Sequence, residues 1–291
     1  MRIAVTTPNG NVGRHLTRML VRAGVRPVLL ARYPPQIARE LRPLVDVIET
    51  DSLDPDEVVA ATRGVDAVYW VNPSPTTADP LGENARASEA IVNAIRANGI
   101  RRVVFQSSVG AEKRHGVGEI DGLAATEVSL DALDVDVTHL RCGYFFSNLT
   151  RDVAAICQGE VVTVLPVDHK FSWVAPRDVA EMAALCLLDE RWQGRHVRAV
   201  HGPRDLSWCD VTGILSDHTG NEVVARQITD ADMMSSYLGS GLAHGLAQAL
   251  LGMSAGIRDD FRPKQPRTVA STTPTRLTGW VYDELLPILG A

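Results

Sequence analysis

The chain has 291 residues, of which 45% are hydrophobic and 22% charged, and a formal net charge of −6. These values exclude a disordered chain, and a core of this size needs no disulfide or metal to hold it. The negative balance argues against a nucleic-acid footprint, and no apolar run reaches the roughly 18 residues of a membrane span.

The first strand is expected at Arg2–Val5, with no basic and apolar leader before it, so a cytoplasmic protein is expected. A turn follows, and then a helix whose apolar face is Val12, Leu16, Met19, Leu20 and Ala23, ended by Gly24. Strands two and three are Val28–Ala31 and Val45–Ile48. Asp54 caps the next helix, Pro55 suits its first position and Glu57 closes a capping box, with Gly64 as the stop. Strand four is Ala67–Val71. A long helix over Gly82–Asn98 is ended by Gly99. Strand five is Arg102–Gln106, with Arg101-Arg102 as a solvated strand end. A helix over Gly118–Leu133 and strand six at Val137–Leu140 complete the regular part.

Strands alternating with helices imply right-handed crossovers and an α/β, doubly wound, mostly parallel sheet of the Rossmann-like type. Ligands of such a fold sit at the C-terminal ends of the strands. Beyond strand six the rhythm loosens. Asp178–Leu188 still reads as a helix and His196–Val200 as a strand extending the sheet. Ser235–Gly256, rich in Gly, Ala, Leu and Met, suits either a lid or a loosely packed helix pair. Arg262–Pro274, with three prolines, is a loop. The scattered cysteines, Cys142, Cys157, Cys186 and Cys209, form no C-x-x-C pair and are expected as reduced, mostly buried thiols.

The turn after strand one decides the functional reading. Gly10 and Gly13 stand where the second and third glycines of a dinucleotide fingerprint would, but Thr7 occupies the place of the first. Pro8-Asn9-Gly10 is itself strong turn chemistry, and the following helix adds its positive end. Thr7, Asn9, Gly10, Asn11 and Val12 are therefore expected to contact a pyrophosphate. Arg32 ends strand two, where an acidic residue would bind a ribose hydroxyl. An arginine there suits a 2′-phosphate, so NADP (NADPH) is the expected cofactor.

The stretches "VTTPNGNVG", "LLAR", "VVFQSSVG", "AATEVSLDALDVDVTHLRCGYFFSNL" and "FSWVAPRDVAEMAA" resemble the NmrA-like branch of the atypical short-chain dehydrogenases/reductases, over nearly the whole chain. The resemblance implies a dinucleotide-binding core over 1–142 plus about 171–200, and a small C-terminal substrate lobe over 143–170 and 201–291. It implies adenine contacts at Asp51 and Ser52, and ribose and phosphate contacts at Asn72 and Pro73. It also implies nicotinamide contacts at Cys142, Gly143 and Tyr144, with Ser107 and Ser108 at the place of the family's active-site serine.

The pattern then departs from the wider family. Aligned through "AATE", the Tyr-x-x-x-Lys positions hold Glu119 and Leu123, and neither can work as a tyrosine–lysine proton relay. The remaining oxyanion donors are Ser108 first, then His115 or Tyr144. Glu119 and Glu127 share roughly one helix face, which a solvated surface would also explain. Trp173, Tyr144, Phe145 and the Met233–Met253 region are candidate walls of a pocket for a small hydrophobic substrate. Three functions stay open: an NADP(H)-dependent oxidoreductase acting on a quinone or enone, a dinucleotide-sensing regulator, and a non-redox enzyme reusing the pocket. No nucleic acid, membrane or metal partner is expected, and a homodimer is left open.

Overall fold

The computed structural model describes residues 1–258 and 261–290; Ala291, the expected end of the lobe, lies outside the described residues. The first half alternates as expected: β1 Ile3–Thr6, α1 Gly13–Arg22, β2 Val28–Ala31, β3 Asp46–Glu49, α2 Pro55–Ala61, β4 Ala67–Trp70, α3 Pro80–Asn98, β5 Arg102–Ser108, α4 Ile120–Asp131 and β6 Asp136–Cys142. The second half adds β7 Tyr144–Phe145, α5 Val153–Cys157, β8 Glu160–Thr163, β9 Phe171–Val174, α6 Pro176–Leu188, β10 Arg195–Val200, β11 Asp205–Leu206, α7 Trp208–Thr219 and β12 Val224–Gln227. The chain continues through α8 Asp230–Gly239, α9 His244–Arg258, α10 Leu277–Trp280 and α11 Leu286–Leu289.

Seven strands form one parallel sheet in the order β10-β6-β5-β4-β1-β2-β3. The chain walks outward from β1 to β3, then returns to the other side of β1 at β4. That reversal opens a crevice beyond Thr6 and Trp70, the switch point at which doubly wound folds bind their ligands. Alternation along each strand feeds a core on both faces. Ile3 and Val5 join Leu16, Leu20, Val179 and Ala183 under α1 and α6. Ala4, Leu30, Val68 and Trp70 join Ala87, Ile91 and Val58 under α2 and α3.

Three local expectations need correction. Asp54 does cap α2, accepting from the N–H groups of Asp56 and Glu57 at 2.9 and 3.1 Å. Glu57, however, accepts from Asp51 N–H at 2.7 Å rather than from the cap residue, so no capping box forms. Arg102 is not a solvated strand end: it is buried, its guanidinium lies 4.8 Å from the Trp192 ring, and it donates to the Glu190 carbonyl at 2.9 Å. All four cysteines are free, but Cys157 and Cys209 are exposed.

The C-terminal part packs its own aromatic core, with Phe146, Trp173, Trp208 and Trp280 in one cluster. Two small sheets frame it, β11-β9-β7 and β12-β8. The Ser235–Gly256 region is a helix pair, α8 and α9. Arg262–Pro274 is irregular, as its prolines require, and is tied down by Lys264 N–H to Glu112 and Arg141 to Gln265, both at 3.0 Å. Among the described residues no helix is long and apolar enough to cross a membrane.

Candidate cofactor and active site

The turn after β1 keeps its shape without the first glycine because Thr7 itself adopts the left-handed conformation, φ 47°. That region costs a β-branched residue about 1–3 kcal/mol. The Gly10 N–H closes the turn on the Thr7 carbonyl at 2.9 Å. A Cβ on Gly13 would lie 2.1 Å from that carbonyl, so only glycine lets α1 start this close to the turn. No side chain caps α1, and its first turn holds no acidic residue. The N–H groups of Asn11, Val12 and Gly13 have no acceptor among the described residues. Three free donors at a helix start, beside a turn that excludes side chains, fit a pyrophosphate.

Arg32 and Asp51 meet at this rim. The guanidinium lies 3.1 Å from the Asp51 carboxylate, both side chains being more than 40% exposed. Asp51 also accepts from Leu53 N–H at 3.0 Å, so it is fixed in place and holds Arg32 in turn. Ser52 is buried beside them. Tyr33, which sequence reasoning passed over, follows Arg32 and is 61% exposed.

Two expected contact residues spend their side chains elsewhere. Asn72 is buried, accepts from Trp70 Nε1 at 3.0 Å and donates to Asn84 and Thr126 at 2.8 and 3.0 Å. It brackets β4 to α3 and α4, which leaves main-chain groups near Pro73 to face a ligand. Ser107 donates to Glu127 at 2.7 Å. Glu127 is not on a solvated face: it is fully buried, with Arg141 Nη2 and Arg114 Nη1 each 2.7 Å from its carboxylate. Burial alone would raise its pKa, but the hydrogen bonds from Arg141 and Ser107 outweigh burial and hold it below the ordinary carboxylate range.

At the end of β6, Cys142 is buried, and loss of water pushes its thiol far up, so it is no nucleophile. A Cβ on Gly143 would sit 2.5 Å from Ser172 Oγ, so this glycine is required for the close approach of β9. Tyr144 keeps 38% of its surface open. Its ring packs edge-on against Trp173 at 4.7 Å. Trp173 is fully buried and so is core rather than a pocket wall. Crowding of the Tyr144 phenol by protein, with the nearby Asp152 charge, raises its pKa, so it stays protonated.

Of the other expected donors, Ser108 donates to the Val109 carbonyl at 2.9 Å. His115 is exposed in the loop between Arg114 (φ 69°) and Gly116. Glu119 is half-buried; burial raises its pKa while Arg151 pulls it down. Its N–H donates to Ala249 of α9 at 3.2 Å, so α9 lies directly over the position of the missing relay tyrosine. Leu123 is partly buried and packs against the core.

Sequence reasoning missed a charged group near Tyr144. Asp152 is raised to about 6 by burial, against the opposing pull of Arg151. Tyr237 of α8 feels burial first and the Asp152 charge next, and is raised as well. The signal was the charged pair Arg151-Asp152 just after the apolar "GYFFSNL". A cavity of about 550 Å³ lies in a groove between α3 and α4, lined by none of the expected site residues.

The crevice, the free N–H groups and the arginine at the rim call for a dinucleotide, and the sequence pattern of the NAD(P)H-binding family matches residues 8–190. The chain belongs to this family. It is 26% identical over 273 residues to an NAD(P)H azoreductase of Xenophilus azovorans, covering 93% of this chain and 92% of that one. It is 32% identical to a (4-alkanoyl-5-oxo-2,5-dihydrofuran-3-yl)methyl phosphate reductase of Streptomyces griseus, covering 74% and 72%. The solved NADPH complex of quinone oxidoreductase QOR2 from Escherichia coli superposes with a TM-score of 0.79 at 22% identity, covering 96% of this chain and 98% of that one. The protein is thus a Rossmann-type member of an NAD(P)H-binding oxidoreductase family, and the NmrA-like resemblance fits.

Proposed function

We propose that the protein is an NADP(H)-dependent reductase of small hydrophobic quinones or enones that works without a tyrosine–lysine relay. The observation that carries this reading is the pairing of an intact dinucleotide turn with Glu119 and Leu123 at the relay positions. Relatives named as an azoreductase and a quinone oxidoreductase support acceptors of this kind.

The N–H groups of Asn11, Val12 and Gly13 would hold the pyrophosphate, and Arg32, steadied by Asp51, would pair with the 2′-phosphate. The bound nicotinamide supplies hydride. What the chain must then supply is orientation and a donor for negative charge developing on the acceptor oxygen. Tyr144 now stands first for that role. Its phenol is kept protonated and borders the cleft, whereas the Ser108 hydroxyl is turned to Val109 and His115 lies out in the loop. A phenol raised in this way donates a hydrogen bond without giving up its proton, so the enolate or hydroquinone anion takes its proton from water. Cys142, Gly143 and Pro73 contribute main chain near the nicotinamide. Residues 143–170 and 201–291 serve as the substrate lobe on a core of 1–142 and about 171–200. The same reading sets the protein in the cytoplasm and leaves a homodimer open.

The test is NADPH oxidation with a panel of quinones, enones and simple ketones. Quinones or enones are expected to turn over while ketones barely react. Equal rates with ketones would overturn the relay-free chemistry. Tight NADPH binding with no oxidation by any acceptor would favour a sensor.

A further inference from the structure

The lobe holds a second cavity of about 340 Å³. Its floor is Phe146, Leu206, Ile214 and Leu277, all buried. Its polar wall is Arg204, Arg276 and Thr278, all exposed. Aromatic rings lie between it and Tyr144: Phe146 packs on Trp173 at 6.5 Å between ring centroids, and Trp173 on Tyr144 at 4.7 Å.

The chemistry of the wall is one-sided. No lining residue is acidic. Asp205, next to Arg204, is taken by Arg267, and Arg226 in the same lobe pairs with Glu160 at 2.8 Å. Arg204, Arg276 and the Thr278 hydroxyl, by contrast, have no hydrogen-bond partner and no carboxylate within ion-pair distance among the described residues, and the nearby charge that Arg204 feels is Asp210, which is bonded to Ser207. Two guanidinium groups offer planar donor forks that match a carboxylate. The floor offers only hydrocarbon, which gains by covering itself with an apolar body. The volume lies at the lower end of the range of small-ligand sites, about 300–1,000 Å³.

We propose that this cavity binds an amphiphilic organic carboxylate, its head on Arg204 and Arg276 and its apolar body on Phe146, Leu206, Ile214 and Leu277. The site is separate from the cofactor turn and does not depend on the reductase reading.

The experiment is calorimetric titration of the full chain, saturated with NADP⁺ so that the phosphate turn is filled, with decanoate, decanol and acetate. Decanoate is expected to bind saturably at one site. Decanol, which lacks the charge, and acetate, which lacks the body, are each expected to bind at least about tenfold more weakly. Arg204→Gln with Arg276→Gln is expected to weaken decanoate at least about tenfold and leave decanol unchanged. Both positions are exposed, so the fold survives the change. Thr278→Trp at the exposed rim is expected to block decanoate by filling the mouth. Equal affinity for decanoate and decanol, an unchanged decanoate affinity in the double variant, or no saturable decanoate binding to the parent protein would each overturn the proposal.

Discussion

Glu127→Gln removes one charge from the most buried ionic group of the site and keeps its shape. In the parent, the Glu127 side chain is 0% exposed and that of Arg141 4% exposed, and two Arg141 nitrogens lie 3.0 and 2.7 Å from the carboxylate. Without the carboxylate, Arg141 keeps only its longer ion pair to the buried Glu112 at 3.8 Å and loses both of its close hydrogen bonds to Glu127, and Arg114 loses its partner as well. Breaking such a pair costs about 3–5 kcal/mol, whereas replacing both members by apolar groups is often neutral. At about 2–4 °C per kcal/mol, the melting temperature should fall by about 6–20 °C. Ser107→Ala, which deletes one hydrogen bond, should cost only about 1 kcal/mol. Glu127→Gln combined with Arg141→Met should recover most of the loss.

The pH dependence follows from the sign of the shift. Glu127 sits below its ordinary value of 4.5 in the folded state, so its stabilisation is full above that pH and fades as pH falls through the folded value. The gap between parent and Glu127→Gln should therefore close in acid. Calorimetric unfolding of the three variants from neutral to acid pH is the assay. A loss below about 1 kcal/mol in Glu127→Gln, or a double variant no better than the single, would refute the role of this pair.

Arg32→Asp should reverse a roughly ten- to hundredfold preference for NADP over NAD, read by calorimetry; equal affinity in the parent would defeat the 2′-phosphate assignment. Tyr144→Phe should slow quinone reduction about 10²–10³-fold with NADPH affinity unchanged, while Ser108→Ala has a smaller effect and Glu119→Gln little; an inactive Glu119→Gln beside an active Tyr144→Phe would reverse the roles. Asp152, raised from 3.8 to about 6, favours the fold when protonated, and that contribution is lost as pH rises through about 6. Asp152→Asn should thus raise the melting temperature above pH 6 and change it little near pH 4, worth at most about 3 kcal/mol.

The parallel sheet was legible because β1 to β6 are short apolar runs set between helices with clear stops, Gly24, Gly64 and Gly99, each at positive φ in the structure. The cofactor turn was legible from spacing alone. That Thr7 would take the left-handed conformation itself was not, since propensity speaks against it. Side-chain destinations at strand ends were also hidden. Asn72 and Ser107 stand at the right ends of the right strands, but their partners, Asn84, Thr126 and Glu127, come from helices 12 to 54 residues away. The lobe's small sheets escaped because strands of two to four residues carry no period. Trp173 read as a pocket wall because aromatic residues line pockets and cores alike.

The most direct measurement is the fate of deuterium in enone reduction. The protein is given NADPH labelled at the nicotinamide's transferable hydrogen, with an enone in ordinary water, and the product is read by NMR. Deuterium is expected on the carbon β to the carbonyl and ordinary hydrogen on the α carbon, since hydride comes from the cofactor and the proton from solvent. Reduction of the enone without deuterium at the β carbon, or deuterium on the carbonyl carbon of an alcohol product, would contradict relay-free hydride transfer to a conjugated acceptor.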